Sequence, residues 1–386
     1  MGVTLIRYWG SYIKSLRAAQ RLANDFVRAI EKGWFTHLVC CQPPEDENWL
    51  EPLKRVGTQI VYLPRPSGNF DLKCMIMAYN LCRKVQCQIF HCDNMHTSPL
   101  IGAFFARVPV RIWSKRSMEP AFEAGRELNI RDLVAVSLRL SCMLATRTLA
   151  VSRAVRDELI SRRINREKIT VLYDPYDSNI QIRNRDEARH YFGYNHSEIV
   201  ITTIGHAIPV KGWDILVRAF SEIAKEAPQT RLLFVGSYSA SHEAPFYNKL
   251  IQDIERFNLK ERIRFTGYLT DISQVLASSD IFVLPSRSEG YSYALLEGLY
   301  SGLPVISSRV GGAVEAISNG LNGFLFEREN HCELTKYLRM LIENSELRKS
   351  MAEEARRSPA IVTMDQYSKN LFNIYESLLE EITGRN

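Results

Sequence analysis

Asp280-Ile-Phe-Val-Leu-Pro-Ser-Arg-Ser-Glu-Gly-Tyr-Ser-Tyr-Ala-Leu-Leu-Glu-Gly-Leu-Tyr-Ser-Gly-Leu-Pro-Val-Ile-Ser-Ser-Arg-Val-Gly-Gly-Ala-Val-Glu315 is the stretch that decides the fold. It opens with a short apolar run that ends in Pro285-Ser286, the pattern of a buried strand. A glycine-containing turn, Ser288-Glu-Gly290, leads into an apolar helix. Ser301-Gly-Leu-Pro304 then feeds a second apolar run to Ser308, and Val310-Gly-Gly312 opens another helix. Strand, glycine turn, helix, said twice, is the rhythm of a parallel doubly wound α/β sheet. Ligands on such sheets bind outside the carboxyl ends of the strands.

Two carboxylates stand at that end. Glu289 lies in the turn after the first strand and Glu297 lies on the helix it feeds. A turn at a helix N-terminus offers backbone N–H groups and a positive dipole end to a diphosphate. A carboxylate in the turn can accept from sugar hydroxyls, and one two helical turns further along the same face can take a ribose diol. The plainer alternative is a capped surface helix with two solvated glutamates; the flanking pattern favours the ligand reading.

The surrounding segments extend it. Thr203-Ile-Gly-His-Ala-Ile-Pro-Val-Lys-Gly-Trp213 reads as a strand, a glycine loop and a lysine at a helix start, while Arg231-Leu-Leu-Phe-Val-Gly236 and Ile263-Arg-Phe-Thr-Gly-Tyr-Leu269 read as two further strand–loop units. Together with Pro285-Ser286, Glu289-Gly290, Glu297, Gly302-Leu-Pro-Val305 and Gly311-Gly312, they resemble the donor site of the retaining glycosyltransferases of family 4, of the bacterial polysaccharide and lipopolysaccharide type. The resemblance covers about residues 165–330 well and the first half loosely. It implies the GT-B fold: two Rossmann-like doubly wound domains facing a cleft, with a C-terminal helix crossing back to the first. The corresponding domains are 1–178, binding the acceptor, 179–363, binding the nucleotide sugar, and 364–386, the returning helix.

Length agrees with two domains, since 386 residues exceed what one core usually supports. The apolar stretch from Leu133 to Ala150 is broken by Arg139 and Arg147, so no run reads as a membrane span. No export signal is read at the N-terminus. The eight cysteines contain no Cys-x-x-Cys pair and read as reduced core thiols of a cytoplasmic chain; the expectation of a place at the inner face of the membrane comes from charge. Residues 1–180 carry 26 Lys and Arg against 17 Asp and Glu; the remainder carries 23 against 26. A basic first half suits an anionic membrane surface or a phosphorylated acceptor, or is simply a solvated cationic surface. No nucleic-acid-binding signature accompanies the charge, so nucleic acid is not an expected partner. The sequence sets no oligomeric state.

In the first half Val3–Arg7, His37–Cys41, Gln59–Leu63, Gln88–Cys92, Val110–Trp113, Thr148–Ser152 and Ile169–Tyr173 read as strands. Residues 14–32 read as a basic amphipathic helix, and Met364–Ile382 as another, with Tyr367, Leu371, Tyr375, Leu378, Leu379 and Ile382 along one face. Asp174 to Asp186 has linker composition; the family usually places Asn-Gly-x-Asp here, of which Asp177 is retained.

Lys211, before Gly212 and an apolar helix, is placed to reach a diphosphate. By resemblance, the catalytic set is Lys211, Glu289 and His206, and the donor site adds Gly205, Tyr268, Leu269, Gly290, Tyr291, Ser292 and Glu297. His206 departs from the family, which usually has arginine there; histidine lacks the bidentate fork and titrates near neutrality, or serves only as a loop residue. On the acceptor side stand Gly10 in Trp9-Gly-Ser11, then His91, Asp93 and His96 in His91-Cys-Asp-Asn-Met-His96. Val110-Arg-Ile-Trp-Ser-Lys-Arg-Ser117 is a second departure: relatives often carry histidines where Ser114 and Arg116 fall. Lys115 and Arg116 are available there for a phosphorylated acceptor or the donor diphosphate.

The resemblance thus implies transfer from a nucleotide-diphosphate sugar to a glycan or lipid-linked acceptor in cell-surface polysaccharide synthesis, with no enzyme nucleophile. No Asp-x-Asp is placed as a metal site, so neither metal nor other cofactor is expected. Two alternatives stand beside it. One is a degenerate GT-B subunit or sugar-nucleotide sensor acting with a partner; the other is a GT-B epimerase or a phosphorylase, which the Glu289/Glu297 pair fits less well.

Overall fold

The computed structural model describes residues 2–11, 13, 16–93, 97–118, 133–176 and 183–384. The chain divides into two compact units. The first comprises Met1–Asp174 with Thr363–Asn386, the second Pro175–Val362.

Among the described residues, the first unit holds a seven-stranded sheet: β1 (Thr4–Tyr8), β2 (Phe35–Cys40), β3 (Gln59–Tyr62), β4 (Ile89–Asp93), β5 (Val110–Lys115), β6 (Arg147–Ala150) and β7 (Ile169–Val171), in the order β3-β2-β1-β4-β5-β6-β7. Every pairing is parallel. The second unit holds β8 (Ile199–Ile204), β9 (Thr230–Val235), β10 (Ile263–Phe265), β11 (Ile281–Leu284), β12 (Val305–Ser308) and β13 (Gly323–Phe326), in the order β10-β9-β8-β11-β12-β13, again parallel. Both sheets are built outward from their first strand and then reverse. Each therefore has a switch point, between β1 and β4 and between β8 and β11, where the crossovers diverge and leave a crevice at the strand ends.

The central strands are almost wholly buried, and β11 is a continuous apolar run, as in a parallel sheet covered on both faces. β11 is buried from Ile281 to Leu284. In the second unit Trp213 packs on Phe234, ring centroids 4.6 Å apart, and Phe234 stacks on Phe265 at 5.0 Å. These rings pin the helix Trp213–Glu226 against β9 and β10 and so fix where its N-terminus points.

The helix Met364–Thr383 starts at a capping box formed by Thr363 and Gln366 and buries Tyr367, Leu371, Tyr375 and Leu378. It packs on Leu16–Glu31: Ser368 Oγ donates to the Asn24 carbonyl at 2.7 Å, and Arg28 meets Asp365 at 2.5 Å. The chain's last helix is thus part of the first unit. Six of the eight cysteines are buried, and burial pushes the Cys40 thiol up to about 12 and Cys142 to about 11. No helix is long and apolar enough to cross a membrane among the described residues.

Candidate active site

The carboxyl ends of β8 and β11 carry the residues singled out on the donor side. Glycines let the loops meet. Gly212 sits at φ 65°, and a Cβ there would lie 2.0 Å from the Pro285 carbonyl oxygen, so the β8 and β11 loops touch backbone to backbone. Gly311, at φ 44°, does the same from the β12 side, where a Cβ would fall 1.7 Å from the Glu289 carbonyl oxygen. Gly312 N–H donates to the Gly290 carbonyl at 2.9 Å, and Arg287 N–H to that of Val210 at 2.7 Å. Arg287 also forks onto Asp214 at 2.8 and 2.9 Å, tying the turn to the first residues of the helix Trp213–Glu226. The turn holding Glu289 and Gly290 is therefore clamped from both sides.

Within the clamp, Lys211 Nζ lies 2.7 Å from Glu289 Oε1, across a chain separation of 78 residues. Ser286 Oγ donates to the same oxygen at 2.8 Å. The lysine and glutamate side chains keep 24% and 12% of their surface, so the pair borders solvent. The lysine stem runs over Gly205, where a Cβ would stand 3.3 Å from Lys211 Cγ and Cδ. Two helix starts converge here. Trp213–Glu226 begins at Gly212 and Tyr293–Tyr300 at Ser292, both without a side-chain cap. A helix start carries the positive end of the dipole, which favours an anion nearby.

Glu297 lies in the second turn of Tyr293–Tyr300 and is 8% exposed. Tyr291 is buried with its hydroxyl donating to the Ala360 carbonyl at 3.3 Å, so this residue offers main chain rather than ring to a ligand. Tyr268 and Leu269 follow β10, and the Tyr268 ring is largely exposed.

His206 follows Gly205, and its ring Nδ1 lies 2.9 Å from Glu243 Oε1. Glu243 is 1% exposed; its second oxygen accepts from Ser237 Oγ at 2.6 Å and from Ala240 N–H at 3.0 Å. Burial alone raises a carboxyl, but these hydrogen bonds and His206 outweigh it and hold Glu243 below its usual range.

The first unit's switch point is arranged otherwise. Arg7 on β1 is buried and bonds Asp25, and it forks onto Asp93 at 2.8 and 3.2 Å. Arg116 bonds Asp93 at 3.1 Å and Asp174 at 2.5 Å. His91 has no exposed surface: Nδ1 meets Tyr375 Oη at 2.6 Å and Nε2 meets Ser114 Oγ at 2.7 Å, and burial pulls its pKa down to about 3. Lys115 is 3% exposed. His91, Asp93 and Lys115, read from sequence as loop groups, are buried residues of the strands β4 and β5, and Arg116 directly follows β5, partly buried. Gly10 sits at φ 64° with its N–H on the Val39 carbonyl at 3.1 Å. His96 and Asp177 lie outside the described residues. No group of three or more His, Cys, Asp or Glu suited to hold a metal occurs among the described residues.

Residues 184–358 match the model of "Glycosyl transferases group 1", and residues 17–179 match that of "Glycosyltransferase Family 4". The chain is a family 4 glycosyltransferase. N-acetyl-alpha-D-glucosaminyl L-malate synthase of Bacillus anthracis is 25% identical over 260 residues, 67% of this chain and 64% of the synthase. A UDP-Gal:alpha-D-GlcNAc-diphosphoundecaprenol alpha-1,3-galactosyltransferase of Escherichia coli is 27% identical over 265 residues, 67% of each chain. Among solved structures, Anabaena Alr3699/HepE in complex with UDP-glucose superposes with a TM-score of 0.79 at 19% identity, covering 97% of this transferase and 99% of that chain. The fold is GT-B.

Sequence reasoning missed two supports of the transferase's site. Ser286 was visible as part of Pro285-Ser286, but its bond to Glu289 was not. Glu243 carries no sequence signal at all: it sits in a polar run 37 residues from His206.

Proposed function

We propose that this transferase moves a sugar from a nucleotide-diphosphate donor to a glycan or lipid-linked acceptor, with retention at the anomeric carbon. The observation that carries the reading is the Lys211–Glu289 pair at the β8/β11 switch point, 2.7 Å apart between two uncapped helix starts. In the reading, the donor's diphosphate takes the Lys211 ammonium, Glu289 turns to the sugar hydroxyls, and Glu297 takes the ribose. The bond from C1 to the β-phosphate oxygen breaks as the acceptor oxygen bonds C1 on the same face. The acceptor's proton passes to the departing phosphate, so no protein nucleophile is used. Lys211 and the helix dipoles stabilise the charge that grows on the phosphate, the group of effects that dominates such steps. No metal enters, and full activity in excess chelator is the expected outcome; complete loss would overturn that part. A UDP sugar is the first donor to try, because both the E. coli relative and the Anabaena structure are named with one.

A thermal-shift screen against UDP-, GDP-, ADP- and dTDP-sugars, repeated on Glu297→Ala, tests the reading. A ligand that binds only the folded state raises Tm. A rise with one nucleotide family, lost in the variant, is expected; no rise with any of them overturns it.

A membrane-borne acceptor is favoured by one surface of the first unit. The helices Leu72–Lys84, Ser98–Phe105 and Leu133–Leu144 contain no Asp or Glu. They pack together, with Gly102 against the Met75 carbonyl and Thr97 Oγ1 donating to the Ser137 carbonyl at 3.0 Å. Leu72, Ile76, Tyr79, Phe105, Val136 and Met143 are exposed on them, beside exposed Lys73, Arg83 and Lys84. An apolar surface with exposed Lys73, Arg83 and Lys84 beside it suits an anionic bilayer. Sedimentation with phosphatidylglycerol-containing vesicles is expected at low salt, weaker at high salt; no binding at either removes this acceptor class.

A further inference from the structure

The chain passes from one unit to the other after Asp174 and again after Val362. Within the second unit, the residues next to both crossings are joined to each other and to one helix. Tyr176 N–H donates to the Val362 carbonyl at 3.0 Å, so the incoming and outgoing segments are bonded together. The Tyr176 ring is buried and stacks on Tyr300, centroids 4.2 Å apart and planes 26° apart, at the last residue of the helix Tyr293–Tyr300. On the outgoing segment, the Ala360 carbonyl accepts from the Tyr291 hydroxyl at 3.3 Å, just ahead of the same helix. Ala360 is held in turn: its N–H donates to Ser358 Oγ at 3.3 Å, and Asn322 Nδ2 donates to that oxygen at 3.4 Å. The two segments therefore grip the helix from both ends.

That helix has only 8 residues, too short to hold its course without packing. Its middle rides on β11, where a Cβ at Gly298 would lie 2.9 Å from the Phe282 ring. Such a contact sets the distance from the sheet; the direction of the axis is set by what holds the ends. Glu297 stands one turn before Tyr300, so a shift of the Tyr300 end carries its carboxylate with it. Hydrogen bonds to a carboxylate weaken steeply away from their preferred geometry. We propose that Tyr176 is a positioning residue for Glu297: stacked on Tyr300, it fixes the helix where the carboxylate meets a ribose diol, and Tyr291 supports the other end through Ala360. This rests on Glu297 taking the ribose, as proposed above. Tyr176 belongs to no donor motif of the sequence, and it reaches Glu297 only through the fold.

The test compares two ligands on the full chain by titration calorimetry. One is UDP, GDP or ADP, whichever raises Tm in the screen above; the other is its 2′,3′-dideoxy form, which lacks only the diol. The unmodified chain is expected to prefer the diol by about tenfold or more, the scale of a hydrogen bond to a charged group. Tyr176→Ala should weaken the diol-bearing ligand roughly threefold to tenfold, the scale of an aromatic pair, and leave the dideoxy form as it was. Tyr176→Leu fills the space without a flat face and should do the same, which keeps the test sound if the alanine variant does not fold. Tyr176→Phe keeps the ring and should retain the full preference. Tyr291→Phe should show a smaller loss of the same kind. On a Glu297→Ala background, Tyr176→Ala should add nothing. The inference is overturned if the alanine and leucine variants weaken both ligands alike, since the ring would then only support the fold, or if the preference for the diol survives in both. An undiminished preference in Glu297→Ala is a distinct result: it removes the ribose reading itself.

Discussion

The switch point of the first unit and that of the second have the same topology and use the same residue types in opposite ways. Between β1 and β4, Arg7, Asp25, Asp93, Arg116 and Asp174 form a chain of ion pairs in which Arg7 and Asp93 are buried, and His91 is sealed with both nitrogens occupied. Between β8 and β11, Lys211 and Glu289 are paired but border solvent, and His206 is half exposed on a buried Glu243. Charges that satisfy one another inside a core hold it together or cost it dearly when one is removed; charges left at a rim contribute little to stability and remain available to a ligand. The same strand order therefore leaves its ionisable groups paired in the interior of one unit and at a solvent-bordering rim in the other.

The comparison breaks most visibly through Arg7. Arg7→Ala strands Asp25 in the interior and is expected to cost about 3–5 kcal/mol, seen as a Tm lower by roughly 10 °C in calorimetry. Lys211→Ala should do the reverse: stability within ~1 kcal/mol of the unmodified chain, but sugar transfer down about a hundredfold or more. Were Lys211→Ala to unfold the second unit as Arg7→Ala does the first, the distinction would be gone.

pH sharpens it further. Burial lowers His91 to about 3, below the ~6.5 of the unfolded chain. The native state then binds fewer protons, so His91 contributes stability that is present above ~6.5 and drains away as pH falls, by up to ~1.4 kcal/mol per unit. Asp25 has the opposite sign. Burial, partly offset by Arg7, raises it to about 6, so its contribution is greatest below ~4 and is lost as pH rises through about 6. Urea unfolding from pH 4.5 to 7.5 should show a flatter acid limb in His91→Gln than in the unmodified chain; identical limbs would mean His91 does not set it. The smallest expected effect is Ser286→Ala, which removes one donor to Glu289: roughly 1 kcal/mol, read as a severalfold rise in donor KM with little change in Tm.

Much of this molecule is legible in one dimension. The apolar runs ended by Gly and Pro specify strands and turns because backbone geometry and burial act over a few residues, and β8 to β12 appear where those signals place them. Lys211-Gly212, Glu289-Gly290 and Gly311-Gly312 mark the turns at the strand ends for the same reason: a left-handed glycine and a helix start are local requirements. The returning helix is equally readable from its spacing of Tyr367, Leu371, Tyr375 and Leu378, though not the partner it packs on.

What only the tertiary structure decided is the fate of each charged side chain. His91 with Asp93, and Lys115 with Arg116, look in sequence like the groups of a functional loop, and a histidine at position 206 looks like a lost arginine. The contacts that settle these cases join residues far apart in the chain: 86 positions from Arg7 to Asp93, 284 from His91 to Tyr375, 37 from His206 to Glu243. A charge's role depends on its distance to other charges and to water, and no local pattern encodes either quantity. The sequence by itself determined most strands and the turns that follow them; which ionisable groups face inward, and which stay at a solvent-bordering rim, was decided when the strand ends came together.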